Sequence, residues 1–255
     1  MCGEPAGMAM PVTPELVGDT LGTLCAVDGP QLLGSLAICP YSTEQVTLWG
    51  PVVDGGHRRQ GIGSLLVRSC REAARDGGFS SLRVLIDQRN RGARSFWLGQ
   101  GLSPWKIDRL YELTLPGSLP AEAGVHLAQA RDHAELVHLL RQGFPDSSYP
   151  DDPLSQRERE GYRHYLLQDG GRIVAAAALK DHPGRAWLSL VAVDPRFRGR
   201  HCGHRLLAGI LHHEAVRGTR RLGLEVLADN SAAITLYERA GFTQVCAATI
   251  MTGPL

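Results

Sequence analysis

The sequence has no excess of either charge and no long apolar run. Its 27 Lys and Arg residues face 26 Asp and Glu residues, which leaves a formal charge of +1. Nucleic-acid binding depends on a clustered basic face, so a nucleic-acid partner is not expected. No apolar run approaches the ~20 residues of a membrane-spanning helix, so a membrane partner is not expected either. Hydrophobic residues make up 43% and charged residues 21%, as in globular proteins.

Disulfide and metal patterns are also missing. The six cysteines contain no Cys-x-x-Cys pair and have no regular spacing. In a chain of this length they indicate reduced thiols and a cytoplasmic protein. His201, His204, His212 and His213 have no spacing typical of a four-ligand site, so no metal is expected. The N-terminus lacks the basic-then-apolar pattern of a signal peptide.

An internal duplication organises the chain. At an offset of 140 residues, segments 51–102 and 191–242 align without a gap and share ten identities in 52 pairs. Ungapped identity at residues that end strands and helices favours duplication over a chance similarity of two strand–helix patterns. The proline-rich segment 115–120 is the predicted linker, which gives predicted domains at 1–117 and 118–255. The identities include Arg58 with Arg198, Gly63 with Gly203, and Asn90 with Asn230.

Both copies show the same predicted order of elements. A strand hairpin leads into a basic loop, an amphipathic helix, a buried strand and a second, Asn-capped helix. The second copy has three further predicted elements at its front: a strand over 125–128, a helix over 132–142, and a helix or helix pair over 154–167. Only about 20 residues precede the strand near Leu24 in the first copy, so that copy is expected to be truncated.

The loop before the first helix of each copy indicates an anion site. In the first copy it runs from Arg58 to Gly63, where small residues let backbone N–H groups point at one spot. The helix N-terminus adds positive potential, and such a site holds a pyrophosphate. A dinucleotide-binding loop is the competing interpretation, but Leu66 replaces the third glycine of GxGxxG. A solvent-exposed basic turn is the structural alternative.

The second helix of the second copy carries the most specific pattern. Residues 230–242 read NSAAITLYERAGF. This segment, with the loops, resembles the GCN5-related N-acetyltransferase superfamily, and the resemblance covers both copies, as in a tandem member. In the first copy, Arg58, Gly61 and Gly63 match the family's [Q/R]xxGx[G/A] loop. In the second copy the match departs at His201, where glycine is usual.

The resemblance implies an α/β (α+β) fold of two tandem acyl-CoA N-acyltransferase-like domains, each a splayed mixed sheet with flanking helices. It also implies acetyl-CoA as cosubstrate, with pantetheine along the strand before the loop and pyrophosphate on the loop. The residues implied to bind coenzyme A in the second copy are Leu190, Val191, Val193, Arg198, Gly199, Arg200, His201, Cys202, Gly203, His204 and Asn230. Those in the first copy are Val53, Arg58, Arg59, Gln60, Gly61, Ile62, Gly63, Ser64 and Asn90.

Two residues of the second copy match the family's acid–base positions. An alkyl ammonium with a pKa of ~10.4 must lose a proton before it attacks, and a carboxylate can receive that proton. Glu225 on the strand and Tyr237 on the helix match the glutamate and tyrosine of the protein N-terminal acetyltransferases that this segment resembles. A strand-end ion pair and a packing role are their structural alternatives. The first copy has Leu85 and Trp97 in these places.

The sequence therefore predicts an acetyl-CoA-dependent N-acetyltransferase with its active site in the second copy. A small-molecule amine is the expected acceptor, and a protein N-terminus is the enzymatic alternative. A non-catalytic acyl-CoA-binding module is the alternative from another class, because His201 restricts a backbone that glycine would leave free. Asp146, Asp151 and Asp152 are predicted as solvated loop residues or as groups that favour a cationic acceptor.

Overall fold

A computed structural model describes residues 21–145, 153–182 and 184–255. The chain forms two compact units, and the first of them consists of two separate stretches of the sequence. Unit 1 contains the described residues up to Asp108 together with Ala247–Leu255, and unit 2 contains Arg109–Cys246. The predicted domains at 1–117 and 118–255 each contain one of the duplicated segments and stay a prediction. The two compact units are divided differently, because the last residues of the chain belong to unit 1.

Unit 1 has a sheet in the order β1-β2-β3-β4-β11. Its strands β1 to β3 form an antiparallel meander, and β3 pairs with β4 in parallel. Helices α1 and α2 follow β3 and β4, respectively. The bounds are β1 Gly22–Asp28, β2 Gln31–Pro40, β3 Gln45–Val53, α1 Ile62–Asp76, β4 Ser81–Asp87, α2 Arg91–Gly99, β5 Ser103–Thr114 and β11 Thr243–Pro254.

Unit 2 repeats this pattern, and a short strand and two helices precede its antiparallel strands. Its sheet order is β5-β10-β9-β8-β7-β6, and β9 pairs with β10 in parallel. Two front helices, α3 and α4, precede the antiparallel strands β7 and β8. The bounds are β6 Val125–Leu127, α3 His133–Gly143, α4 Leu154–Arg159, β7 Tyr162–Asp169, β8 Arg172–His182, β9 Arg185–Val193, α5 Cys202–Arg217, β10 Arg221–Leu227 and α6 Ser231–Arg239.

Most predicted elements are confirmed, and one is wrong. The splayed mixed sheets that the resemblance implied are present, and both helices of each copy follow in the predicted order. The predicted helix over 154–167 is instead a short helix that ends at Arg159, followed by strand β7. Gly161 turns the chain at φ 91°, and β7 is buried on both faces, which removes the alternation that marks a half-buried strand. The predicted truncation of the first copy concerns residues before Leu21, outside the described residues.

Each unit has its own apolar core on the α1 or α5 side of its sheet. In unit 1, Leu66 and Val67 of α1 pack with Leu36 and Val84 of the sheet. In unit 2, Leu206 and Ile210 of α5 pack with sheet residues that include Leu224. A third cluster joins the front helices to β7, β8 and β9 of unit 2. Among the described residues, no helix has the length and apolar character of a membrane span.

Candidate active site

The sheet of unit 2 opens between two of its parallel strands. Strands β9 and β10 pair only from Ala186 with Leu222 to Leu188 with Leu224. Strand β9 nevertheless continues to Val193, still paired with β8 on its other side. An extra residue, Ser189, forms a bulge where the opening begins. The result is a gap with one strand edge available to an extended ligand.

The free edge of this gap presents backbone donors. The N–H of Asp194 donates to the carbonyl of Val174 on β8, at 3.0 Å. Successive residues of a strand point their backbone groups to opposite sides, so Ala192 also points to β8. Val191 and Val193 therefore point their N–H and C=O groups into the gap. This edge fits the amide-containing pantetheine chain, by the same backbone pairing that adds a peptide strand to a sheet edge.

The loop after β9 ends at a helix N-terminus with unused donors. The first intrahelical bond of α5 runs from the N–H of Arg205 to the carbonyl of His201, at 3.0 Å. The N–H groups of Cys202, Gly203 and His204 precede that bond, so the helix ladder leaves them free. Arg198 and Arg200 are exposed on the same loop. These residues fit a pyrophosphate.

The two loops place left-handed residues at equivalent positions. In unit 2, Gly199 has φ 74° and His201 has φ 61°. In unit 1, Arg59 has φ 64° and Gly61 has φ 85°. Each loop thus has one glycine and one non-glycine, in opposite order. His201 caps α5 in the conformation that Gly61 has at the start of α1, so the departure from the family motif leaves the loop geometry intact.

Unit 1 also opens, but its strand edge lacks one donor. Strands β3 and β4 pair only from Gln45 with Ser81 to Thr47 with Arg83. Pro51 stands at the position equivalent to Val191 and has no N–H. A Cβ on Gly63 of α1 would meet Pro51 and Phe96 at 3.4 Å, so these two side chains pack against the start of the helix.

The predicted acid–base residues lie on the two elements that follow the gap. Glu225 is the next residue of β10 after the last pair with β9, and it is exposed between buried Leu224 and Val226. Tyr237 is buried on α6, where its ring contacts Phe242 edge-on at 5.9 Å. Burial raises the pKa of Tyr237 to about 12. The phenol is therefore protonated at neutral pH and able to donate.

The equivalent positions of unit 1 carry no acid–base groups. Leu85 occupies the place of Glu225, and Trp97, 2% exposed, occupies the place of Tyr237. Asn90 and Asn230, predicted among the cofactor residues, have the same local role in both units. Each side chain accepts the N–H of the residue three positions on, at 2.9 and 3.2 Å, and so caps its helix.

In unit 2, a front helix lies against the gap. Leu136 and Leu140 of α3 pack with Ala192 of β9. At the end of α3, a Cβ on Gly143 would come 3.0 Å from the Ala192 Cβ, so glycine permits this close approach. Ala192 is 3% exposed, whereas its counterpart Val52 in unit 1 is 67% exposed. The front helices therefore enclose the gap of unit 2. Asp146, Asp151 and Asp152, which follow α3, lie outside the described residues.

Sequence reasoning missed Trp187, which lies on the face of β9 opposite α5. Trp187 lies beside Glu225's strand, and its indole ring covers Gly223. In the sequence, Trp187 looks like one more apolar residue of the predicted strand hairpin. The signal that was available is the pairing of a bulky aromatic with a glycine in a neighbouring buried strand.

Comparisons with known proteins agree with this geometry. A profile of the "Acetyltransferase (GNAT) family" matches residues 6–101 and 133–242. A mycothiol acetyltransferase of Mycobacteroides abscessus is 30% identical over 89% of this chain and 83% of its own. The "[Ribosomal protein bS18]-alanine N-acetyltransferase" of Escherichia coli K12 is 34% identical, over 35% of this chain and 61% of its own.

A solved structure has a similar fold over most of the chain. The "Tandem GNAT protein from the clavulanic acid biosynthesis pathway" has a TM-score of 0.69 at 20% identity, over 91% of this chain and 82% of its own. The chain belongs to the GNAT family, as a tandem member. It is an acetyl-CoA-dependent N-acetyltransferase.

Proposed function

We propose that unit 2 transfers the acetyl group of acetyl-CoA to the primary amine of a small molecule. The observation that carries this proposal is the exposed Glu225 at the open end of the β9–β10 pairing. Unit 1 has a leucine there and serves as a second coenzyme A site or as a scaffold.

In the proposed reaction the pantetheine chain pairs with Val191 and Val193, and the pyrophosphate lies on the N-terminus of α5. The carboxylate of Glu225 takes a proton from the acceptor ammonium, directly or through water. The amine nitrogen then bonds to the acetyl carbonyl carbon, the C–S bond breaks, and sulfur leaves as a thiolate. The second nitrogen proton goes to solvent.

Tyr237 stabilises the departing thiolate. A phenol with a pKa of about 12 is a weaker acid than a thiol of pKa ~8.5. Full proton transfer to the sulfur is therefore uphill, and the hydroxyl acts chiefly as a hydrogen-bond donor to the developing charge.

The acceptor class is supported by the relatives. The mycothiol acetyltransferase matches nearly the whole chain, and its name gives a small molecule as the one it acts on. The bS18-alanine N-acetyltransferase matches only about a third of this chain. That second match makes a protein N-terminus the second candidate acceptor.

A thiol-release assay tests both candidates. Acetyl-CoA is incubated with the acceptor of the mycothiol acetyltransferases, with aminoglycosides, amino acids and polyamines, and with N-terminal peptides. We expect turnover with a small amine and none with the peptides. The Glu225→Gln variant should lose the turnover of the small amine. Turnover with peptides alone would replace the small-molecule proposal. Full activity in Glu225→Gln would show that Glu225 is not the base. Asp229→Asn is the matched control, because Asp229 is an exposed carboxylate two residues after the end of β10.

A further inference from the structure

The two copies exchange the ends of their last strands. Each copy ends in a strand of 12 residues, β5 Ser103–Thr114 and β11 Thr243–Pro254, at the same offset as the rest of the duplication. From Arg109 onward β5 belongs to unit 2, although it follows α2 of the first copy. From Ala247 onward β11 belongs to unit 1. The unit with the proposed acid–base residues is therefore completed by a strand of the first copy.

Tyr111 of this exchanged strand is buried in the core of unit 2. It is 1% exposed and belongs to the same apolar cluster as Tyr237 and Phe242. Its hydroxyl donates to the Oε1 of Glu238 on α6, at 2.9 Å. Burial, and next the Glu238 carboxylate, raise the pKa of Tyr111, so its hydroxyl stays protonated and remains a donor.

The hydrogen bond from Tyr111 reaches α6 beside the proposed acid. Glu238 directly follows Tyr237 in a helix of only 9 residues, so a bond to its side chain restrains the rotation of α6 and its distance from β5. Among the described residues, the Tyr237 hydroxyl makes no hydrogen bond to another residue. The position of that hydroxyl therefore depends on how the helix that carries it is held.

Unit 1 has neither group at the equivalent positions. Met251 of β11 takes the place of Tyr111 and packs in the core of unit 1 with Trp97. Leu98 takes the place of Glu238. Apolar packing therefore suffices to attach this helix where no acid is held. The hydroxyl–carboxylate pair occurs in the unit that has the proposed acid–base residues.

We infer that Tyr111 is a positioning residue for acetyl transfer in unit 2: through Glu238 it holds the Tyr237 hydroxyl at the departing sulfur. The inference rests on the proposed function, because it requires the role that Tyr237 has there. That hydroxyl stabilises charge that exists mainly in the transition state. Its displacement should therefore lower kcat and leave the KM for acetyl-CoA unchanged.

A double-mutant cycle tests whether Tyr111 acts through Tyr237. The kcat is measured by thiol release from saturating acetyl-CoA, with the amine that the wild type uses fastest. Tyr111→Phe should lower kcat about tenfold, less than the ~10²-fold that a misplacement of about 1 Å costs. In the Tyr237→Phe background, the same substitution should change kcat by less than about twofold, because the group that it displaces is already absent.

Three further variants separate positioning from packing. Glu238→Gln keeps an acceptor oxygen, so it should lose less kcat than Glu238→Leu, which should match Tyr111→Phe. Tyr165→Phe is the matched control. Tyr165 is also 1% exposed in the same cluster, and it donates to the buried carboxylate of Glu214 at 2.8 Å. Its substitution should lower the melting temperature and leave kcat unchanged.

An unchanged kcat in Tyr111→Phe overturns the inference. An equal fall in kcat in both backgrounds also overturns it, because Tyr111 then acts on the unit as a whole and not through Tyr237. Equal falls in Tyr165→Phe and Tyr111→Phe have the same consequence. The proposed function fails in a different way, when the wild type uses no amine or Tyr237→Phe retains full kcat, and either result overturns the inference with it.

Discussion

Tyr237 and Trp97 hold equivalent positions on the second helix of each unit, and burial alone does not separate their roles. Tyr237 is 7% exposed and Trp97 is 2% exposed, so both rings fill the space between helix and sheet. The two rings differ in size and in polar group, because Tyr237 has a hydroxyl where Trp97 has an indole N–H. The Tyr237 hydroxyl makes no hydrogen bond to another residue in the part of the chain that the structure describes. A buried phenol of this kind is able to serve a ligand instead.

Replacing Tyr237 with Phe should therefore lower kcat and leave the fold intact. The hydroxyl stabilises charge mainly in the transition state, so we expect kcat to fall ~10²-fold, the size of effect that the loss of one hydrogen-bond donor to a developing charge has. The KM for acetyl-CoA should change little. Steady-state kinetics at neutral pH measure both.

Trp97→Phe is the control within the same chain. It should leave turnover unchanged, since unit 1 has Leu85 where the base would be. Loss of turnover in Trp97→Phe with turnover retained in Tyr237→Phe would move the active site to unit 1. A lower melting temperature of Tyr237→Phe would favour the packing role.

At the scale of elements, α5 is attached to β7 and β8 by a buried polar network, and the described residues of unit 1 contain no equivalent of it. Glu214 of α5 is fully buried and accepts hydrogen bonds from Arg163 at 2.9 and 3.0 Å and from Tyr165 at 2.8 Å. Thr219 donates a further bond at 2.6 Å, and Arg163 also pairs with Asp181 at 2.7 Å. The residue equivalent to Glu214 in unit 1 is Ala74.

Glu214→Ala should destabilise the protein strongly. It leaves Arg163 and Tyr165 without their main acceptor in a buried site, and we expect a loss of about 3 kcal/mol in the free energy of unfolding. Urea denaturation measures this loss. Glu122→Gln is the matched control, because its pair with Arg205 is about one-third exposed on both sides and should contribute less than about 1 kcal/mol. Equal losses in both variants would contradict a special role of burial.

The helix-start loop gives a second prediction at this scale. His201 already has the left-handed conformation of the usual glycine, so His201→Gly should preserve the loop. We expect the affinity for coenzyme A to change by no more than ~1 kcal/mol, the net contribution of one neutral hydrogen bond. Calorimetry measures it.

His201→Asn separates the backbone from the side chain. Asparagine tolerates the same conformation but has no imidazole. A tenfold loss of affinity in both variants would identify His201 as a dedicated phosphate ligand.

At the scale of the whole molecule, local patterns predicted the repeated helices and strands. The strand pairings between distant parts of the chain could not be predicted in this way. Asn90, Asn230 and Gly218 mark helix ends through their own backbone and side-chain chemistry, so a single sequence reveals them. Strand β11 is different. Ala248–Pro254 pair with Asp87–Ser81 of β4, far earlier in the chain, and no local periodicity contains that partner.

The candidate site follows the same division. Glu225 and Tyr237 were predicted because the short segment that contains them resembles the acetyltransferase motif, and such a resemblance is visible in one sequence. The position of Trp187 over Gly223, by contrast, follows only from the register of β9 against β10. The missing N–H of Pro51 also becomes relevant only in the structure. The N–H of Asp54 donates to the carbonyl of Leu33 at 2.8 Å, which shows that Pro51 lies with its backbone groups toward the gap.

The duplication finally predicts two unequal coenzyme A sites. Both loops have unused helix N-terminal donors and flanking arginines, but the strand edge of unit 1 lacks the N–H that Val191 provides in unit 2. One hydrogen bond of about 1 kcal/mol corresponds to about fivefold in affinity. We expect calorimetry to give two equivalents of coenzyme A, with the weaker one in unit 1.

Substitutions in each loop assign these two sites. Gly61→Asp places a carboxylate against the pyrophosphate and should remove the weaker equivalent, because Gly61 has φ 85° and aspartate adds both strain and repulsion there. His201→Asp is the matched substitution in unit 2 and should remove the tighter equivalent together with turnover. A single equivalent in the wild type that Gly61→Asp leaves unchanged would make unit 1 a scaffold, with its loop retained from the duplication but without a ligand.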